Sequence, residues 1–199
     1  MNIISSLHGY TISCHGTMMT KYLFDFTTTE SVDNWYEVSD TVRSVGKSKA
    51  TLVLQNTREF QRGIFFVLLN PQPNGACFAG MNYDSPFDFS GYSGLEIRLR
   101  SQASNITHWK IVLKTSASID RFTSYEQIFE LKNEVEFKSV TLMFNNFHQM
   151  KNGEINPDEV PLQKNDVKTF GFQAFGGVYE DEYKQNGPGT LEIDSVKLV

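Results

Sequence analysis

The residues with the widest chemical range in this chain are four histidines and two cysteines, and their spacing argues against a reactive centre. His8, His15, His108 and His148 are scattered; none lies four residues from another, and no HExxH or HxH pattern occurs. Cys14 and Cys77 form no CxxC pair and have no histidine at zinc-ligand spacing. They read as two free thiols, Cys77 buried like a small hydrophobe; a Cys14–Cys77 bridge stays open at this level. No GxSxG offers a nucleophile elbow, and neither a Walker A pattern nor a GxGxxG follows a strand. Paired carboxylates are the remaining enzymatic pattern: Glu126 with Glu130, or Asp181 with Glu182. A glycosidase needs two such groups about 5–9.5 Å apart across a sugar-sized cleft, whereas acids on alternating strand positions ordinarily form a solvated face. No catalytic residue is therefore assigned, and the chain is expected not to be an enzyme.

Two binding chemistries remain. Glu180-Asp181-Glu182 lies in the segment between Phe175 and Leu191 and offers hard oxygen ligands for Ca²⁺, with Asp25 and Asp194 contributed by terminal strands. Asp25, Asp181 and Asp194 are the candidate metal ligands, against the plainer reading of an acidic loop; no other cofactor is expected. Trp35, Tyr36, Trp109 and Tyr125 could present ring faces to a partner or a sugar. Trp109 shares the apolar phase of Ile111 and Leu113, which places it in a core. Trp35 and Tyr36 are adjacent, so in a strand one of them faces out.

These residues must be positioned by strands. The run Leu95-Glu96-Ile97-Arg98-Leu99-Arg100 alternates apolar and charged without a break, and Trp109, Ile111 and Leu113 alternate with Lys110, Val112 and Lys114. Val140, Leu142 and Phe144, then Phe170 and Phe172, continue the same period, while Ala50–Gln55 and the apolar run Ile64–Leu69 read as further strands. In Leu191–Leu198 the apolar phase shifts at Asp194-Ser195, as a β-bulge would make it. Turn signals such as Asn70-Pro71-Gln72-Pro73-Asn74-Gly75 and Asn186-Gly187-Pro188-Gly189 separate the runs. A short helical turn is expected at Val32–Tyr36 or Pro157–Lys164. The 199 residues hold 16 Phe, 8 Tyr and 2 Trp, which suits pleated, half-buried surfaces. About ten short strands point to an all-β fold, a jelly-roll β-sandwich.

Charge excludes further classes. A net charge of −5 with no Lys/Arg cluster lacks the footprint of a nucleic-acid binder, and no apolar stretch is long enough for a membrane span. Met1 to Lys21 carries no acidic residue and one basic one. That segment is acid-poor and Ser-rich like a mitochondrial leader but lacks its arginines, and it has no apolar stretch of the kind a secretory signal needs. Residues 1–20 are read as a leader or disordered extension and 21–199 as one domain.

Four ordered stretches carry a family likeness. They are Phe24-Asp25-Phe26 with Trp35 and the Asp40-Thr41-Val42 turn; Asn74–Gly80 leading to Phe87–Arg98; Ser124–Phe129 followed by Val140–Phe144 and Phe147; and Phe170-Gly171-Phe172 with Gly187–Ile193. In this order and spacing the chain resembles the complex I intermediate-associated protein family of mitochondrial assembly factors. The resemblance implies a galactose-binding-domain-like jelly roll and a non-enzymatic chaperone that holds an early membrane-arm intermediate of respiratory complex I. It also implies protein partners and a mitochondrial location. Where the family has Met-Gly-Gly and then Ser, this chain reads Arg43-Ser44-Val45-Gly46-Lys47-Ser48. The expected contact surface is the loop set Trp35–Lys49 with Tyr125–Phe129, and the candidate binding residues are Trp35, Tyr36, Asp40 and Tyr125. The alternative is a secreted carbohydrate-binding module, motivated by fold type, aromatic content and the Asn105-Ile106-Thr107 glycosylation pattern.

Overall fold

The computed structural model describes residues 20–118, 123–151, 153–178 and 180–199. Nearly all of the expected leader, with Cys14, lies outside them. Thirteen strands form among the described residues: β1 (Lys21–Asp25), β2 (Trp35–Ser39), β3 (Lys49–Asn56), β4 (Gln61–Leu69), β5 (Phe78–Phe87), β6 (Gly94–Arg100), β7 (His108–Thr115), β8 (Thr123–Glu130), β9 (Lys138–Met143), β10 (His148–Lys151), β11 (Glu154–Ile155), β12 (Val167–Phe175) and β13 (Gly187–Leu198). They make two antiparallel sheets. One runs β3-β4-β13-β6-β9, with β1 also on β13; the other runs β11-β10-β8-β7-β12-β5-β2. The architecture is the all-β jelly-roll sandwich that the alternating runs predict. The helical turn expected at Val32–Tyr36 does not form, because Trp35 already opens β2; Pro157–Lys164 is irregular, and a short 3-10 turn follows at Lys164–Asp166.

Burial follows the pleat. Leu95, Ile97 and Leu99 in β6, Trp109, Ile111 and Leu113 in β7, and Phe170, Phe172 and Ala174 in β12 are all sealed between the sheets. The phase change in β13 is a bulge: its register with β6 slips between Ile193 and Ser195, so Ile193 and Val196 both reach the core. Between the layers the rings touch in sequence. Phe65 packs on Trp109 at 5.8 Å and on Phe172 at 6.1 Å; Phe172 stacks on Trp35 at 5.8 Å, and Trp35 meets Phe24 at 4.9 Å. Cys77 is also buried. Burial, then the nearby Asp40 charge, push its thiol pKa up to about 11.

The outer face of the β3–β9 sheet is closed by charge. Glu192 accepts from Arg62 at 2.6 Å and from Arg100 at 2.8 Å, and both guanidiniums lie 4.8 Å from the Phe137 ring centre. Burial alone would raise the Glu192 pKa, but the two arginines hold it below its ordinary value. The two sheets are tied along one edge by Glu37 of β2. It accepts Lys49 Nζ at 2.7 Å and the Ala50 N–H at 3.2 Å, both from β3.

Three measurements check this account. Phe172→Ala should lower stability by about 3–5 kcal/mol in urea unfolding, whereas Phe66→Ala on the exposed face should stay within about 0.5 kcal/mol. Because Glu192 is depressed when folded, its contribution is present above about pH 4.5 and lost as pH falls through its folded value. Glu192→Gln should therefore destabilise the protein by about 1–3 kcal/mol at pH 7 and flatten the acid limb of a stability–pH profile. At pH 8 a thiol reagent should leave Cys77 unmodified in the native protein and label it after denaturation, as read by peptide mass mapping.

Candidate functional site

The alternation that fills the core leaves one residue in two of the seven-stranded sheet pointing outward. Tyr36, Asn82, Gly171, Val112, Glu126 and His148 stand opposite one another across β2, β5, β12, β7, β8 and β10. The next row is Val38, Gly80, Gln173, Lys110 and Ile128. At the centre Lys110 Nζ donates to Glu126 Oε2, and Ser124 Oγ donates to the other carboxylate oxygen at 2.7 Å. Toward β2 the Tyr36 hydroxyl donates to Asp84 at 2.9 Å, and Thr169 Oγ1 donates to the same carboxylate at 2.7 Å. Partial burial, then the bond to Asp84 and its charge, raise the Tyr36 pKa, so the phenol stays a donor at neutral pH.

Two glycines keep the floor of this face low. A Cβ on Gly171 would sit 2.1 Å from Asn82 Oδ1, and one on Gly80 would sit 2.5 Å from the Phe172 carbonyl oxygen. The Asn82 amide thus lies across Gly171, and Asn82 is itself buried. Around this polar centre Tyr36, Ile128 and Ile155 are exposed, and Val38 and Met150 are half-buried.

The candidate residues fall unevenly. Tyr36 is the outward member of its pair; Trp35 points inward with 8% of its surface exposed, because β2 aligns it with Tyr83 over the core. Tyr125 is 2% exposed: its register opposite Leu113 turns it inward, where its hydroxyl oxygen accepts from Gln149. Asp40 is fully buried and organises its own loop, accepting the Ser48 N–H at 3.0 Å and the Ser48 hydroxyl at 2.9 Å. A Cβ on Gly46 would stand 2.0 Å from the Asp40 carbonyl oxygen, so this loop needs one glycine at close approach, and it has it. The expected loop set is thus corrected: Tyr125–Phe129 lies within β8, and β2 and β8 are separated by three strands. What the two segments share is the face onto which Tyr36, Val38, Glu126 and Ile128 project.

The candidate calcium ligands do not converge. Asp181 is an exposed side chain paired with Lys184, Asp194 pairs with Arg98 at 3.3 Å, and Asp25 accepts from Thr27 within its own turn. Among the described residues no three His, Cys, Asp or Glu side chains group to hold a metal ion. Glu126 and Glu130 project from the same side of β8 four residues apart, which at about 3.3 Å per residue exceeds the span of a glycosidase pair. Tyr36, Asp84 and Thr169 carry no sequence signal as a group; only the sheet order brings them together.

Among families, the model described as Complex I intermediate-associated protein 30 (CIA30) matches residues 24–193. No curated protein matches the sequence. Among solved structures, the chain is similar to the family 11 carbohydrate-binding module of the cellulosomal cellulase Lic26A-Cel5E of Clostridium thermocellum. The two are 16% identical with a TM-score of 0.64, over 92% of this chain and 95% of that one. A family 30 carbohydrate-binding module is 12% identical with a TM-score of 0.51, over 78% and 92% of the two chains. An agarase is 7% identical with a TM-score of 0.57, over 90% of this chain and 24% of that one. At these identities the likeness is one of fold: a galactose-binding-like β-sandwich.

The packing of Asn82 across Gly171 makes a prediction about coupling. Gly171→Ala should destabilise by about 1–3 kcal/mol in urea, and adding Asn82→Ala should recover part of that loss rather than add to it.

Proposed function

The chain belongs to the CIA30 family, and on that premise we propose that it is a non-enzymatic, protein-binding assembly factor that holds an early intermediate of respiratory complex I in mitochondria. Residues 21–199 act in this reading as one domain. The observation that carries it is the outer face of the seven-stranded sheet, where exposed Tyr36, Ile128 and Ile155 surround polar pairs already fixed by their own bonds. Apolar and aromatic contacts with a polar, prearranged centre suit a protein partner. Among the described residues no helix is long and apolar enough to cross a membrane.

A second reading is a secreted carbohydrate-binding module. It is favoured by the hydrogen-bonding groups of Tyr36, Asn82, Gln173 and Glu126 on one face and by the solved carbohydrate-binding modules of the same fold. Against it stands the burial of both tryptophans, Trp35 and Trp109, which removes the largest rings from any stacking platform.

Ile128→Arg places a charge in the middle of the proposed contact face at an exposed position, so the fold should persist. Cells lacking the protein should accumulate incomplete complex I on native gels; the unaltered chain should restore it and Ile128→Arg should not. Normal complex I in the absence of the protein would overturn the assembly reading. Saturable binding of a β-glucan oligosaccharide, lost in Tyr36→Ala, would replace it with the second.

A further inference from the structure

The loop that joins β2 to β3 exposes apolar side chains that the fold does not use. Its base is fixed. Buried Asp40 accepts the Ser48 N–H and hydroxyl, and the Ser48 oxygen accepts the Asn70 N–H at 3.1 Å. Within the loop the Arg43 N–H donates to the Asp40 carbonyl at 2.9 Å, and the Gly46 N–H donates to the Arg43 carbonyl at 3.1 Å. A loop tied in this way holds its outer side chains in place. Val42 is 81% exposed and Val45 is 51% exposed. The chain then enters β3 at Lys49, which stands opposite Leu68, and Thr51 stands opposite Phe66. Leu68, Phe66 and Val53 are exposed on the outer face of this sheet. Apolar side chains thus run on from the loop along the β3–β4 margin.

The charge of this margin is opposite to that of the whole chain. From Thr41 to Leu69 stand Arg43, Lys47, Lys49, Arg58 and Arg62 against Glu59 alone, in a protein whose net charge is −5. Lys49 and Arg62 are paired with Glu37 and Glu192. Arg43, Lys47 and Arg58 are exposed and make no ion pair among the described residues. Arg43 and Lys47 are interleaved with Val42 and Val45 in a stretch that holds no acid. An anionic occupant is therefore favoured. A second copy packed about a two-fold axis would set Arg43 and Lys47 against their own images. A folded acidic partner would have to supply pockets shaped for the protruding valines. A bilayer surface takes protruding apolar groups without a matching shape, and anionic lipids add attraction to the basic side chains beside them.

We propose that the loop Val42–Lys47, with the adjoining β3–β4 face, docks on the surface of an anionic lipid bilayer. Val42 and Val45 enter the boundary between headgroups and acyl chains, Arg43 and Lys47 meet lipid phosphates, and Leu68 and Phe66 extend the apolar contact along the margin. The contact is peripheral. The inference goes beyond the protein-binding reading and does not rest on it. β3 and β4 belong to the six-stranded sheet, whereas Ile128 stands on the outer face of the other, so the two surfaces can be occupied together.

The experiment sediments the full chain with vesicles of phosphatidylcholine, alone or mixed about two to one with phosphatidylglycerol. Binding to the anionic vesicles should exceed binding to the neutral ones at least about tenfold, and about 0.5 M salt should release most of it. Arg43→Glu combined with Lys47→Glu should weaken binding at least about thirtyfold. Lys132→Glu combined with Lys151→Glu changes the net charge as much on the other sheet and should weaken it far less, as should Ile128→Arg. Val42→Ser combined with Val45→Ser keeps every charge and should weaken binding severalfold. Val45→Trp should add an emission that shifts to the blue on anionic vesicles and is quenched by brominated acyl chains. All these positions are exposed, so circular dichroism and Tm should stay near those of the unaltered chain. Absence of binding to anionic vesicles, equal loss in the two charge pairs, or indifference to the two valines overturns the proposal. So does binding of polyglutamate as tight as that of vesicles, which gives the loop to an acidic protein, or dimerisation abolished by the valine pair, which gives it to a second copy. Complex I rescue through Ile128 is read on the other face, so either conclusion can fail without the other.

Discussion

The contact on which the molecule depends is the layer of aromatic rings held between its two sheets. Phe65, Trp109, Phe170, Phe172, Trp35 and Phe26 are all buried, and they come from both layers. Fully burying a Phe-sized side chain is worth about 1.5–3 kcal/mol, and ring–ring geometry adds to that. A layer built this way leaves no choice about the remaining positions. Once Phe170 and Phe172 face in, Thr169, Gly171 and Gln173 must face out, and the same pleat aims Lys110 and Glu126 at each other on the outside. The candidate binding face is in this sense the reverse side of the core.

Much of the fold is legible in the order of the residues alone. β6 and β7 alternate cleanly, and the β13 bulge is visible as a slip in apolar phase because a pleat with period two permits no other cause so economical. β8 is where such reading fails. Its inward residues are Tyr125, Gln127 and Phe129 and its outward ones include Ile128, so an amide points in and an isoleucine points out. With the hydrophobic pattern inverted at two adjacent positions, Tyr125 looks like surface. Asp40 misleads for another reason. A carboxylate in a turn usually meets water, and only the return of the chain at Ser48 gives it the two donors that allow full burial. The cluster of Tyr36, Asp84 and Thr169 joins residues 48 and 85 positions apart along the chain, a separation that no local spacing encodes.

Family and fold point in complementary directions. The match over residues 24–193 speaks to descent, while the carbohydrate-binding modules speak to architecture. A sandwich that spends its tryptophans inside keeps a framework on which other surface chemistry can be written. Here that chemistry is a set of pre-formed ion pairs and hydroxyl bonds among aliphatic groups. At β2 the two sides meet in neighbouring residues: Trp35 stacks on Phe172 at 5.8 Å inside, and Tyr36 stands on the outer face.

The bond from Glu37 to the Ala50 N–H has a reach beyond its modest strength. It ends the β3 side of its sheet by capping an outward main-chain donor with a side chain from the other layer, with Lys49 alongside. At the opposite end, β9 has, among the described residues, a neighbour on one side only, over six residues, and Lys138 stands at its start. A sheet so finished is asymmetric at its two margins. Polymerisation by zippering of backbones, the hazard of every open sheet, is turned away at one margin by a carboxylate and left at the other to a single ammonium group.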